Sequence, residues 1–315
     1  MKKPLIILTG PTAVGKTRLS LLLAKSINGE IISADSMQVY HYMDIGSAKI
    51  KKEDMQGIPH HLIDVLSPLE DFNVVTFQRM CKECMEDIYN RGKIPILTGG
   101  TGFYIQSVLY DIDFTENKED ACFRLELENL AKTKGALYLH EMLRKVDPVS
   151  AEEIHANNVK RVIRALEYHE QTGETISLHN ETQRRKESAY RSCYFVLNDE
   201  RDKLYERINQ RVDEMLAEGL VEEVEKLAGM GCTRDMVSMQ GLGYKEILSY
   251  LAGDITLEEA TERIKRDTRH FAKRQITWFK REKDVIWVNK PDFSYDDTAI
   301  LTFMHEKLSE NGIII

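Results

Sequence analysis

The sequence lacks the features of a membrane protein and those of a disulfide-stapled secreted domain. No apolar run approaches the ~18 residues that a membrane-spanning helix requires. The 5 cysteines are an odd number in a chain of 315 residues, which favours reduced thiols. The first residues contain no apolar stretch long enough for a secretory signal. We therefore expect a cytoplasmic protein of about two domains without membrane contact. We also expect a monomer, although the sequence does not give the oligomeric state.

Basic residues are in the minority, since 43 Lys and Arg stand against 51 Asp and Glu, for a formal net charge of −8. This balance excludes a wholly basic nucleic-acid coat protein but allows a local basic face. Such a face is predicted at residues 263–283, where nine Lys and Arg outnumber two acidic residues. A charge run is usually a solvated helix face, but this one opposes the sign of the whole chain and favours a polyanion-binding surface.

Two residue pairs have a spacing that invites a metal interpretation. Cys81 and Cys84 are separated by two residues, and His60 is adjacent to His61. No second Cys or His pair stands at zinc-finger distance, and the sequence around the cysteines has the pattern of an amphipathic helix. We therefore interpret the cysteines as buried helix thiols and the histidines as structural.

The first hundred residues alternate short apolar runs with helical patterns. Strands are predicted at 5–8, 30–33 and 94–97, and helices at 16–27 and 75–91. Charged helical sequence follows, a further strand is predicted at 192–197, and helices are predicted at 201–230, 243–251 and 257–283. The alternation indicates an α/β fold with a parallel sheet flanked by helices. We predict a core of residues 1–114 and 192–315, with an all-helical subdomain inserted at 115–191.

The segment GPTAVGKT at residues 10–17 satisfies the phosphate-binding pattern G-x-x-x-x-G-K-[ST] between a strand and a helix. Glycines let backbone N–H groups turn inward, the helix N-terminus adds partial positive charge, and the hydroxyl of the last residue can reach Mg²⁺. The pattern indicates a phosphate and does not distinguish ATP from another diphosphate ester. The predicted diphosphate-binding residues are Gly10, Pro11, Thr12, Ala13, Val14, Gly15, Lys16 and Thr17. The fold class is therefore similar to that of the P-loop NTPases.

Two further strand ends carry polar residues toward the same edge of the predicted sheet. Asp35 follows the second strand, where its carboxylate could act as a general base, accompany Mg²⁺, or only cap a turn. The Thr- and Gly-rich turn around Thr101 follows the strand at 94–97. Such a turn can serve tight packing alone, but its position favours a role in the crevice at the strand ends.

Nine segments together resemble the bacterial tRNA dimethylallyltransferases over nearly the whole chain. They are GPTAVGKT at 10–17, SADSMQVY at 33–40, IGSAK at 45–49, PHHLID at 59–64, TGGTGFY at 98–104, NNVKRVIRALE at 157–167, RVDEML at 211–216, MQGLGYKE at 239–246 and the basic stretch 269–281. The resemblance implies transfer of a dimethylallyl group from dimethylallyl diphosphate, with Mg²⁺, to the exocyclic amine of the adenosine 3′ to the anticodon. The implied partner is the anticodon stem-loop of tRNA.

The resemblance also assigns roles to individual residues. It implies that Asp35 is the base and that Thr101 and Arg211 lie near the reacting centre, and the phosphate-binding pattern adds Thr17 as the residue that meets the metal. The resemblance places the following residues on or next to the tRNA: Asp35, Ser36, Met37, Gln38, Thr101, Arg124, Lys160, Arg161, Val162, Ile163, Arg164, Gln240 and Lys245. The charge of the basic stretch adds Arg269, Lys273 and Arg274 to the predicted tRNA contacts. The chain departs from the pattern at Gln240-Gly241, where some members of the family carry Arg-Cys.

The implied chemistry suits these residue types. The lone pair of the adenine amine is delocalised into the ring, so a carboxylate has to accept its proton as the new bond forms. A stacked anticodon-loop base also has to be flipped out, which basic residues on the phosphates help to offset. A small-molecule kinase using ATP would explain the phosphate loop but not the basic stretch. An RNA-binding module without transferase activity would leave Asp35 and Thr101 without a role, and prenylation of free adenine nucleotides would not need the helical insert.

Overall fold

The fold is an α/β sheet with a separate group of helices, and the computed structural model describes residues 2–114 and 121–313. The strands are β1 (Pro4–Thr9), β2 (Gly29–Ser33), β3 (His60–His61), β4 (Ile94–Gly99), β5 (Arg191–Asn198) and β6 (Val285–Asn289). The helices before β5 are α1 (Lys16–Ser26), α2 (Val74–Asn90), α3 (Gly102–Leu109), α4 (Ala121–Lys134), α5 (Ala136–Val146), α6 (Pro148–Glu153), α7 (Val159–Thr172) and α8 (Ile176–Arg184). Those after it are α9 (Arg201–Ala217), α10 (Leu220–Gly229), α11 (Tyr244–Leu251), α12 (Leu257–Phe279) and α13 (Asp297–Glu310).

The strands form one six-stranded sheet in the order β3-β2-β4-β1-β5-β6, and every pairing is parallel. Leu5, Ile6, Ile7 and Leu8 of β1 are fully buried, because this central strand is covered on both faces. Strands β1, β2 and β4 end at the same edge, where the chain turns into the segments at residues 10–17, 35–38 and 99–101. The prediction of a parallel sheet flanked by helices is confirmed.

Three details differ from the expectation based on the sequence. The edge strands β3 and β6 are additional to the predicted ones; β3 has only two residues and β6 follows directly on a charged turn. The helix predicted at 201–230 is two helices, because Gly219 takes a φ of 104° between α9 and α10. The last basic residues of the stretch 263–283 lie beyond the end of α12 at Phe279.

The chain divides into two compact units, Met1–Leu109 with Ser188–Ile315, and Tyr110–Glu187. The bounds of the second unit are close to those of the helical insert predicted at 115–191. The first residues of that insert, 115–120, lie outside the described residues. Its helices α4 to α7 pack around a small apolar core that includes Leu127, Leu139, Leu143, Val162 and Leu166. None of the described helices combines the length and the hydropathy needed to cross a membrane.

Candidate active site

The segment at residues 10–17 forms a tight loop between β1 and α1. Gly10, Ala13 and Gly15 take positive φ values of 147°, 61° and 98°. A Cβ at Gly10 would lie 2.5 Å from the carbonyl oxygen of Leu197, so only glycine fits there. Gly15 precedes α1 without a side-chain cap, which leaves the N–H groups of the first helical turn open to an anion. Val14 is buried, so its backbone N–H and not its side chain can serve a ligand.

Lys16 folds back over this loop. Its ammonium Nζ donates to the carbonyl oxygens of Gly10 at 3.0 Å and Pro11 at 2.8 Å. Burial and, second, repulsion from Arg211 lower the pKa of Lys16 to about 8, and attraction to Asp35 opposes them. A bound polyanion would reverse this balance, because it favours the charged form of the ammonium.

Asp35 stands at the end of β2, half-buried, and its carboxylate orientation is fixed by its own turn. Oδ1 accepts hydrogen bonds from the backbone N–H groups of Met37 at 2.8 Å and Gln38 at 3.3 Å. The carboxylate therefore does cap a turn. It also interacts electrostatically with both Lys16 and Arg211, which makes it more than a cap.

Arg211 reaches this group from α9. Burial lowers its pKa, and the carboxylates of Asp35 and Glu214 oppose that effect. A guanidinium stays protonated in proteins. Two cations and one carboxylate, carried by the first turn of α1, by α9 and by the residues after β2, thus share one region of the molecule.

Thr101 completes the edge of the sheet. Its backbone N–H donates to the carbonyl oxygen of Ala34 at 3.3 Å, and its own carbonyl accepts from Tyr104 at 2.9 Å at the start of α3. The turn after β4 is thereby fastened to the end of β2, next to Asp35.

A cavity of about 450 Å³ opens among these elements. Ten residues predicted from the sequence line it: Thr12, Ala13, Asp35, Ser36, Met37, Thr101, Arg211, Gln240, Lys245 and Arg274. An apolar part of the wall, which the sequence did not indicate, includes Ile208, Val212, Met215, Ile264 and Phe271. We call the segment at residues 10–17 the phosphate loop. The cavity therefore combines part of the phosphate loop, a carboxylate and an apolar surface.

Gln275 of α12 is a further residue of the site that the sequence motifs did not reveal. It is only 6% exposed, its Oε1 accepts from the N–H of Thr12 at 2.9 Å, and its Nε2 donates to the carbonyl of Gly100 at 2.9 Å. One amide thus joins the phosphate loop to the turn that carries Thr101. One feature of the sequence could have indicated this residue. A glutamine stands between Ala272 and Phe279 on the apolar stripe of α12, where a polar side chain needs hydrogen-bond partners.

The basic stretch lies mostly on α12, and its members have different surroundings. Arg269 donates to Oδ1 of Asn209 at 2.6 Å, so it is tied to α9, and Lys265 pairs with Asp213 at 2.7 Å. Lys273 and Arg274 are exposed. They border an open groove of about 460 Å³ whose remaining lining is His270, Thr277, Trp278 and Arg281. Arg274 lines both this groove and the cavity.

The predicted tRNA residues of the helical unit also divide into two kinds. Lys160, Arg161 and Arg164 are exposed on α7, whereas Val162 and Ile163 are 0% and 5% exposed and pack into the core of the unit. The side chains of Val162 and Ile163 therefore cannot contact tRNA, because the 3.6-residue period of the helix places them on the face opposite the basic residues. Arg124 donates to both oxygens of Glu167, at 2.7 and 3.0 Å, which makes it part of an intramolecular ion pair.

The residue pairs with metal-like spacing have structural surroundings. Cys81 is buried on α2, where burial raises its pKa. His61 contacts Glu30 at 2.8 Å, and Glu30 is also paired with Arg91 and Lys93. Within residues 2–114 and 121–313, no three His, Cys, Asp or Glu side chains cluster as metal ligands.

Known proteins resemble this chain closely. A model of the IPP transferase family matches residues 38–282. The tRNA dimethylallyltransferase of Lachnoclostridium phytofermentans is 62% identical over 312 residues, 99% of either chain. That of Carboxydothermus hydrogenoformans is 53% identical over 287 residues, 91% of this chain and 92% of the relative.

Solved structures are also similar to this chain in fold and sequence. The full-length tRNA isopentenylpyrophosphate transferase from Bacillus halodurans has a TM-score of 0.74 and 45% identity, covering 99% of this chain and 98% of that one. A eukaryotic dimethylallyltransferase solved while acting on tRNA has a TM-score of 0.83 and 30% identity, covering 99% of this chain and 79% of that one.

Proposed function

The chain belongs to the IPP transferase family, and on that premise we propose that it acts as a tRNA dimethylallyltransferase. It transfers a dimethylallyl group from dimethylallyl diphosphate to the exocyclic amine of the adenosine 3′ to the anticodon. The observation that carries the proposal is that Asp35, Thr101 and Arg211 line one partly apolar cavity, while Lys16 interacts electrostatically with Asp35 and Arg211. A kinase would not need the apolar wall formed by α9 and α12.

The donor is held at its two chemically different ends. Backbone N–H groups of residues 12–17, the N-terminus of α1 and the Lys16 ammonium bind the diphosphate. The five-carbon chain packs against Ile208, Val212 and Phe271, since apolar surface removed from water stabilises the complex.

The acceptor amine is activated by Asp35. As the N–C bond forms, the amine proton passes to the Asp35 carboxylate, the bond between the dimethylallyl carbon and the diphosphate oxygen breaks, and that bond's electron pair leaves with the diphosphate. Because two backbone N–H groups hold Oδ1, the carboxyl group is already oriented for this transfer. Lys16 and Arg211 stabilise the negative charge that develops on the leaving group.

Mg²⁺ fits this site through Thr17, exposed at the first turn of α1. Without a carboxylate cluster among the described residues, its other ligands would be diphosphate oxygens and water, as is usual for this ion. When bound, the ion neutralises charge on the diphosphate.

The acceptor is a polyanion, and we infer that its anticodon stem-loop is held by exposed basic residues. Lys273 and Arg274 supply such a surface in the larger unit, and Lys160, Arg161 and Arg164 supply one in the helical unit. Gln240 and Lys245 line the cavity itself. We also propose that the protein acts in the cytoplasm and as a monomer.

The test is a transfer assay with two donors. The protein is incubated with unmodified tRNA and Mg²⁺, with either labelled dimethylallyl diphosphate or labelled ATP. Label from the prenyl donor should appear on the tRNA, and a tRNA with guanosine at the target position is the control. No transfer from the prenyl donor would refute the prenyltransferase, and consumption of labelled ATP in its place would favour the kinase.

A further inference from the structure

Glu223 on α10 accepts four hydrogen bonds although it does not line the cavity. Oε2 accepts from the backbone N–H groups of Asp44 at 2.9 Å and Ile45 at 2.8 Å. Oε1 accepts from the N–H of Gly46 at 3.0 Å and from the hydroxyl of Tyr244 at 2.8 Å. Three successive backbone donors therefore point at one carboxylate, and charge-assisted bonds of this kind are about twice as strong as neutral ones.

The segment that Glu223 holds is a wall of the cavity. Gly46, Ser47 and Ala48 line it, and Gln38 fastens the same segment from the other side by donating to the carbonyls of Ser47 at 3.3 Å and Ala48 at 3.5 Å. Gln38 belongs to the turn that Asp35 caps, and Asp35 is the proposed base for the acceptor amine. We therefore call residues 44–48 the acceptor wall.

Tyr244 extends the arrangement to α11. Its ring is fully buried and lies against Gly46, where a Cβ would come within 2.6 Å of the ring. The adjoining loop brings Gly241 against Met37, with an added Cβ only 2.8 Å from the Met37 sulfur. Glu223 thus connects α10, the acceptor wall and the start of α11.

We propose that Glu223 is a positioning residue that sets the shape of the acceptor side of the cavity, and so controls the affinity for the RNA acceptor and not that for the diphosphate donor. The proposal rests on the proposed function. The donor side is held independently, because the phosphate loop is fastened by Gln275 and by Lys16. Loss of the Glu223 contacts should therefore affect the two substrates unequally.

The primary test is Glu223→Gln. An amide has one acceptor oxygen, so its NH₂ group faces two of the four donors and the acceptor wall has to move. We expect the KM for tRNA to rise about tenfold, kcat to change about twofold or less, and the Kd for dimethylallyl diphosphate by calorimetry to stay at the wild-type value. The matched control is Glu225→Gln, an exposed position on the same helix, which should leave all three constants unchanged.

A second variant guards against a folding defect. Tyr244→Phe retains the ring against Gly46 and removes one donor to Glu223, so it should raise the KM for tRNA about threefold. An unchanged KM for tRNA in both variants, or an equal loss of donor affinity, would overturn the positioning role. Failure of the wild-type protein to prenylate tRNA would overturn the proposed function as well, whereas wild-type activity with unaffected variants would overturn only the role of Glu223.

Discussion

At the scale of single residues, the proposed chemistry depends on the mutual electrostatic effects of Lys16, Asp35 and Arg211. Burial and, second, repulsion from Arg211 lower the pKa of Lys16, burial lowers the pKa of Arg211, and attraction to Asp35 opposes the lowering at both. A free site with two partly buried cations and one carboxylate attracts anions. In the proposed reaction, the added charge of the leaving diphosphate is therefore stabilised by groups already in place, with little reorganisation.

Replacing Asp35 by Asn removes the proton acceptor and retains the shape and the turn cap, because the amide oxygen can accept from Met37 and Gln38. We expect transfer to slow by about 10²–10⁴ with nearly normal binding of tRNA and donor, as measured by single-turnover kinetics and calorimetry. Asp71→Asn, the same change at an exposed position outside the cavity lining, is the matched control. Wild-type turnover in the Asp35 variant would remove Asp35 from the mechanism, and a loss of donor affinity restored by extra Mg²⁺ would make it a metal partner.

The lowered pKa of Lys16 predicts a pH-dependent donor affinity. The protonated ammonium attracts the diphosphate, so affinity should be full below a pH of about 8 and fall as the pH rises through it. Lys16→Arg retains the charge at every pH, so its calorimetric profile should be flat from about pH 7 to about pH 9. Lys16→Ala should bind weakly throughout and lose the thermal stabilisation that the donor confers. A wild-type affinity that does not change across this range would contradict the role of Lys16.

At the scale of elements, α12 has two faces with different roles. Its inner face positions the phosphate loop through Gln275 and supplies Ile264 and Phe271 to the cavity, and its exposed side carries Lys273 and Arg274. The capping box of Thr256 and Glu259 fixes where the helix starts. One rigid helix therefore determines the spacing between donor site and basic surface.

The basic surface of α12 predicts salt-dependent RNA binding. Lys273→Ala combined with Arg274→Ala should weaken tRNA binding and reduce the slope of log K against log salt by about 1.5, since each phosphate contact contributes about 0.7–0.9. Filter binding at several salt concentrations measures this slope. Lys51→Ala with Lys52→Ala, also exposed, should leave the slope unchanged. An unaltered slope in the first variant would mean that this face of α12 is only solvated.

At the scale of the whole molecule, the chain consists of two units that each possess a core. The sheet unit buries a large apolar cluster from β1, α1, α9 and α13, whereas the helical unit has a small core of aliphatic side chains. A small core supplies little stabilisation, so individual polar contacts weigh more in the helical unit. The Arg124–Glu167 ion pair is one of them, because Glu167 is only 2% exposed.

Removing Arg124 should destabilise the helical unit locally. Arg124→Ala leaves the buried Glu167 carboxylate without this partner, at a cost of about 1–3 kcal/mol, because the carboxylate is buried while the Arg124 side chain is 37% exposed. Hydrogen exchange should accelerate in α4 and α7 and stay unchanged in β1 and β4. The double variant Arg124→Leu with Glu167→Leu should recover most of the protection. Equal exchange rates in wild type and Arg124→Ala would show that the pair contributes nothing measurable.

The sequence by itself determined the phosphate loop, the parallel sheet and the family. The loop is encoded in eight contiguous residues, because glycine positions and a helix start are local backbone requirements. The strands β1, β2, β4 and β5 are short apolar runs, which signal burial on both faces. The two-residue β3 carries no such signal, so only pairing with β2 revealed it.

Tertiary structure alone decided which distant residues position the segments of the site. Gln275 meets Thr12 across 263 positions of sequence, and Glu223 meets Ile45 across 178, contacts that no local pattern encodes. Packing also separated residues that are adjacent in sequence: Val162 and Ile163 lie in the core while Arg161 and Arg164 face outward. A motif specifies backbone conformation and residue chemistry, whereas the partner of each buried polar group follows from how the helices pack on the sheet.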